Sequence, residues 1–174
     1  SDAHIKVGEV GYRLQDLAKL ADQDWERIAL ENGVGAVLIP ATTEVAPVYI
    51  HMTIPTDIVR KGAQNRDYIY LLETLAAFVP LFLWGAALRG PFIHFVDNTA
   101  SQGALTKGDS RSDAGNCLVG AYWRHAMTLR SVPWFTRVRS ELNPADNINK
   151  GYFSRATARG WRKMTMDAGA FCAA

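Results

Sequence analysis

Apart from His94, the run Phe92-Ile-His-Phe-Val96 is apolar, and it ends on an acid, Asp97, with Asn98 and Thr99 directly behind it. A short run of this kind, aromatic and β-branched, reads as a buried-type strand. Segments of a different periodicity surround it. Ile69, Leu72, Ala76, Val79 and Leu83 recur at helical spacing in residues 66–88, where Pro80 is expected to kink the helix or cost it a turn. Downstream, residues 99–105 and 114–129 read as helices separated by a turn at Gly108-Asp-Ser110. Pro133 then introduces residues 134–138 as the last strand, and Asn143-Pro144 opens a C-terminal helical segment.

Upstream, Leu14, Leu17, Leu20, Ala21, Trp25 and Ile28 form an amphipathic helical stripe stopped near Asn32-Gly33. Residues 34–39, Val-Gly-Ala-Val-Leu-Ile closed by Pro40, and the β-branched and aromatic residues 45–54 read as a hairpin. Helices alternating with strands in this order imply an α/β architecture, a mixed sheet covered by helices.

With 174 residues, 48% of them hydrophobic and 21% charged, the chain fits one globular domain spanning 1–174. The apolar stretch around residues 75–88 is interrupted by Pro80 and too short for a membrane span. Cys117 and Cys172 offer neither a disulfide framework nor metal-ligand spacing, which points to reduced thiols and an intracellular location, cytoplasm or nucleus. A start at Ser-Asp-Ala rather than Met suggests a piece of a longer polyprotein. The net charge of +2 conceals an asymmetry: residues 1–97 hold 8 Lys/Arg against 12 Asp/Glu, residues 98–174 hold 11 against 5. A basic C-terminal half suits a polyanionic partner such as nucleic acid.

Acids are the candidate chemistry. Asp97 stands at a strand tip, where open α/β sheets handle ligands, although an N-cap role beside Asn98 and Thr99 is equally open. Glu73 lies in the apolar middle of its helix, either buried with a partner or solvated at the helix edge. Asp146 opens the last helix, where an acid also suits the helix dipole. Converging carboxylates need cations, and hard oxygen ligands select Mg²⁺ or Mn²⁺.

Four stretches carry a resemblance. Leu71-Leu-Glu-Thr-Leu-Ala-Ala77, Phe92-Ile-His-Phe-Val-Asp-Asn-Thr-Ala100, Gly103-Ala-Leu-Thr-Lys-Gly-Asp-Ser-Arg-Ser112 and Trp134-Phe-Thr-Arg-Val-Arg-Ser-Glu-Leu-Asn-Pro-Ala-Asp146 occur in that order. Together they resemble the ribonuclease H domain that follows reverse transcriptase in some retroelements, over roughly residues 33–150. The resemblance implies a five-stranded mixed sheet flanked by helices. It also implies metal-dependent hydrolysis of the RNA strand of RNA–DNA hybrids, beside the polymerase part of the same polyprotein. Four acids, from the first strand, the first long helix, the fourth strand and the last helix, would hold the metal; Glu73, Asp97 and Asp146 match the last three.

The family's first acid ends a strand just ahead of a Gly-x-Gly-Ala-Val segment. Gly33-Val-Gly-Ala-Val37 matches that segment, but Asp2-Ala3 stands well before it. We take Asp2 as the first acid, with residues 4–32 as a helical insertion in the first hairpin and 151–174 as a helical extension. Asp22 or Asp24 is the alternative, both in a helical pattern. Near these acids, Lys107, Ser110, Arg111, Arg137 and Arg139 are expected to meet phosphates, and Asn98 and Asn143 the 2′-hydroxyls that distinguish RNA. Trp84, Trp123, Trp134 and Trp161 are expected as packing residues, and His94 as structural. A non-catalytic tether of the same fold is the competing reading; a DNA nuclease or integrase is disfavoured by the Asn-Pro-Ala-Asp segment.

Overall fold

The structure, a computed structural model, describes residues 2–4, 33–57, 60 and 68–165, the first three through their backbone. Strands β1 (Asp2–His4), β2 (Gly33–Leu38) and β3 (Val48–Thr53) precede the long helix α1 (Tyr68–Trp84). Strand β4 (Gly90–Val96), helices α2 (Thr99–Lys107) and α3 (Asp113–Leu129) and strand β5 (Ser131–Arg137) follow. A 3-10 turn at Ser140–Leu142 leads into α4 (Pro144–Asn149), α5 (Ser154–Ala158) and β6 (Arg162–Met164). The helix expected at 14–28, the rest of the proposed insertion, and Asp22, Asp24 and Cys172 lie outside the described residues.

The expected hairpin is present. β2 and β3 pair antiparallel from Gly33↔Thr53 to Leu38↔Val48, and β1 adds antiparallel to β2 with Asp2 opposite Gly35. Period-2 alternation divides the sheet between two layers. Val34, Ala36, Ile50 and Met52 enter the main core with Leu72, Ala76 and Val79 of α1. Tyr49 and Val37 point the other way, into a smaller cluster with Ile148 of α4 and Ala156 of α5. The sheet therefore lies between α1 and the α4–α5 pair.

Two glycines permit the second layer to sit so close. A Cβ on Gly35 would lie 2.6 Å from the Asn149 nitrogen and 2.9 Å from the Ala145 oxygen, and one on Gly33 would lie 2.6 Å from the Asn149 oxygen. Those neighbours are backbone and cannot swing aside. Helix α4 also touches β1, as does α1, so the three-residue strand is held between them.

Three expectations need correction. The single five-stranded sheet is, among the described residues, a four-stranded sheet ordered β1-β2-β3-β6 and a separate two-stranded sheet β4-β5. Asp2–His4 pair with β2, and no ladder joins β1 to β4 among the described residues. The extension at 151–174 is not wholly helical: Gly160, at φ 69°, ends the α5 turn, and β6 then pairs parallel with β3, so β5 is not the last strand. Pro80 does not cost α1 a turn, since the helix runs unbroken from Tyr68 to Trp84. Pro80 is buried and its neighbours Val79 and Leu81 are fully so; their packing outweighs the backbone hydrogen bond that the proline removes.

β4 and β5 run parallel from Gly90↔Ser131 to Val96↔Arg137, with α2 and α3 supplying the crossover. β4 is buried on one face rather than two. His94 and Val96 point inward, while Ile93 (62% exposed) and Phe95 (48%) share the outer face with Val132 and Trp134 (74%), which is not the packing residue expected. The helices of the crossover cover only the inner side. There His94 stacks on Phe135 at 5.4 Å and its Nδ1 lies 3.1 Å from the Tyr122 hydroxyl, a structural placement as expected. Among the described residues no helix is long and apolar enough to cross a membrane.

Two outcomes follow from this packing. Gly35→Ala should destabilise the protein by about 1–3 kcal/mol through overpacking, read as a lower urea midpoint at unchanged m. Burial pushes the His94 imidazole from its usual 6.5 down to about 3, so the unfolded chain takes up that proton first. Stability should therefore fall as pH drops from about 6.5 toward 3, with up to ~1.4 kcal/mol per pH unit coming from this group. His94→Phe should show a flatter decline over that window in urea titrations run at each pH.

Candidate metal centre

β4 delivers Asp97 beyond its last inward residue, and the ladder holds to the strand end, where the Val138 nitrogen donates to the Val96 oxygen at 3.0 Å. The cap of α2 then falls to the next residue. Asn98 Oδ1 accepts from the nitrogens of Ala100 (2.9 Å) and Ser101 (3.0 Å). Those orphan donors are thereby satisfied, and Asp97 is not the cap. Its carboxylate faces a different environment. Oδ2 accepts from the Ser140 hydroxyl at 3.1 Å, and Oδ1 is buried with no hydrogen-bond partner among the described residues. A carboxylate oxygen withdrawn from water without a donor is costly, and a cation is one group that offsets such a cost.

Glu73 is buried, which excludes the solvated-edge reading. The α1 turn that carries it is pinned to the start of α2. Thr74 Oγ1 donates to the Tyr70 oxygen (2.8 Å) and lies 3.3 Å from Ser101 Oγ, which in turn donates to the Tyr70 oxygen at 3.2 Å. Ser101 is four residues past Asp97, so the Asp97 strand tip and the Glu73 turn share one corner of the fold.

Asp146 lies in the first turn of α4, where Asn143 Oδ1 caps the helix by accepting from the Ala145 nitrogen at 3.1 Å and Pro144 takes the first helical positions. Its carboxylate is engaged: Lys150 Nζ stands 2.8 Å from Oδ1 and 2.9 Å from Oδ2. That i,i+4 pair on a partly exposed helix was available to sequence reasoning and was not used. Asp146 and Ser140 line one groove of about 540 Å³, so the residue that bonds Asp97 also borders Asp146. Among the described residues no three His, Cys, Asp or Glu side chains stand together as a metal-binding group. The Asp2 backbone pairs with Gly35 between α1 and α4; its side chain lies outside the described residues.

The expected substrate contacts divide. Asn98 and Asn143 spend their side-chain oxygens on helix caps, and Asn143 is buried, so neither oxygen is available to a 2′-hydroxyl. Ser110 accepts from the Tyr70 hydroxyl (2.8 Å) and the Ser112 nitrogen (3.3 Å), which builds the turn between α2 and α3. Lys107 and Arg111 are exposed around that turn, and Arg137 and Arg139 are exposed after β5. Sequence reasoning missed Ser140, for which no sequence signal existed because its partner is 43 residues away.

Compared with protein-family models, with curated proteins and with solved structures, the chain matches none.

Asp97→Asn keeps an acceptor for Ser140 and removes the buried charge. In chelator it should stabilise the fold by about 1 kcal/mol, and it should abolish the rise in Tm that Mn²⁺ gives the wild type. A wild-type Tm indifferent to Mn²⁺ counts against Asp97 as a ligand.

Proposed function

We propose that the protein is a ribonuclease H-like endoribonuclease that hydrolyses the RNA strand of RNA–DNA hybrids with Mg²⁺ or Mn²⁺, as part of a retroelement reverse transcriptase. The observation that carries this reading is Asp97: a strand-tip carboxylate released from capping by Asn98, with Oδ1 buried and without a donor among the described residues. The order of elements supports it as well. An antiparallel β1–β2–β3 unit, a long helix with a buried Glu73, a parallel β4–β5 pair and a late helix bearing Asp146 follow the family's arrangement.

Asp97, Glu73 and Asp146, with Asp2, are the residues proposed to hold the metal. When bound, a pair of such cations activates water and stabilises the leaving oxygen of a phosphodiester. The chain's own contribution is positional. Ser140 orients one oxygen of Asp97, the Thr74–Ser101–Tyr70 contacts hold the Glu73 turn near it, and Lys150 orients Asp146. Exposed Lys107, Arg111, Arg137 and Arg139 would hold phosphates without reading sequence.

The Asp146–Lys150 pair favours a second reading. With one acid already neutralised, the domain would tether a nucleic acid for the polymerase without cutting it. Full-length protein offered labelled RNA–DNA hybrid, double-stranded RNA and double-stranded DNA with Mg²⁺ separates the two. Selective hybrid cleavage, reduced at least about 100-fold by Asp97→Asn, is expected. Hybrid binding without cleavage supports the tether, and cleavage that survives Asp97→Asn sinks the proposed centre.

A further inference from the structure

Beyond Asp146 the chain changes character. From Lys150 to Lys163 it carries Lys150, Arg155, Arg159, Arg162 and Lys163, and no acid occurs between Asp146 and Asp167. Aromatic residues interleave with these cations: Tyr152, Phe153 and Trp161. A solvated basic face needs no aromatic residues, and a packed aromatic cluster needs no unpaired guanidinium groups.

The fold brings both kinds of group into one groove. Arg155 and Arg159, one helical turn apart on and just after α5, line the same 540 Å³ cavity as Tyr152, Trp161, Leu142 and Ile39. Tyr152 is 65% exposed and Leu142 64%. The Arg159 guanidinium lies 5.9 Å from the centroid of the Trp161 ring, and Lys163 Nζ lies 4.4 Å from that of Phe153. Among the described residues no acid forms an ion pair with Arg155, Arg159, Arg162 or Lys163. Two acids, Glu141 and Asp146, also line the groove, the second paired with Lys150.

We propose that this groove binds single-stranded nucleic acid, with Arg155 and Arg159 on phosphates and Tyr152 and Trp161 as stacking surfaces for unpaired bases. A strand of phosphates and flat bases matches a lining that sets Arg155 and Arg159 beside the exposed ring of Tyr152 and the half-buried ring of Trp161, which packs on the smaller cluster and carries Arg159 against it. A duplex does not, because its bases are stacked on one another and present no free face to Tyr152. Ser140, which donates to Asp97, also lines the groove, so a strand held there lies near Asp97. The binding itself does not depend on hydrolysis at Asp97.

Fluorescence anisotropy of the full chain in EDTA, with labelled oligo-dT and oligo-U twelve nucleotides long, tests the site apart from any cleavage. Tyr152→Ala should weaken binding about 5- to 100-fold, the range of one base–aromatic stack, while Tyr152→Phe retains it. Combined Arg155→Ala and Arg159→Ala should make the plot of log K against log salt shallower by about 1.4, two phosphate contacts on a single strand. The corresponding double Lys variant should restore most of that slope, and matched Tm values exclude misfolding. An unchanged slope in the Ala double variant, tighter binding of double-stranded DNA than of oligo-dT, or equal affinity for poly-glutamate would each overturn the proposal. Loss of hybrid cleavage with oligonucleotide binding intact would instead count against the catalytic reading alone.

Discussion

The close seating of α4 on β2 is the contact on which the rest depends. Gly33 and Gly35 bring the helix backbone to a distance that a single methyl group would forbid, since added Cβ atoms would lie 2.6 Å from Asn149. That contact holds the short strand β1 in place from one side while α1 holds it from the other. It also sets where the first turn of α4, with Asp146, stands relative to the Asp2–Gly35 pair. Glycines in a strand usually weaken it; here they are the means by which a second layer joins the sheet.

At the tip of β4 there is a division of labour between neighbours. Asp97 and Asn98 are both good capping residues, and a helix start needs only one of them. Asn98 takes the cap, which leaves Asp97 with a buried oxygen and, among the described residues, Ser140 as its donor. Local helix formation thereby leaves an acid in an environment it would not choose for stability alone. The cation-dependent chemistry proposed above rests on this residue.

Much of the architecture was legible along the chain. The apolar run 34–39 closed by Pro40 and the β-branched and aromatic residues of 45–54 anticipated the hairpin, and the helices read at 66–88 and 114–129 match α1 and α3 to within a few residues. The misses have a common origin. β6 is three exposed residues, Arg162–Met164, with no apolar pattern to announce it; a hydrogen bond from Arg162 to Pro47 and the edge of β3 make it a strand. Trp134 and Ile93 have core-like chemistry yet sit on an uncovered face, because burial depends on which elements pack above a strand. Asn143 has the composition of a contact residue, but a helix cap uses it.

The acids show the same boundary. Periodicity and residue type, which are properties of neighbours in sequence, account for the strand that ends at Asp97, the helix that carries Glu73 and the turn that starts at Asn143. Whether those acids are buried, capped or paired depends on partners far along the chain: Ser140 for Asp97, and Ser101 for the turn of Glu73. Asp146 is the intermediate case, since its partner Lys150 is one helical turn away and needed only the helix to form. Local spacing can specify an element because backbone hydrogen bonding is local; the environment of a side chain is set by packing between elements, which a single strand or helix does not contain.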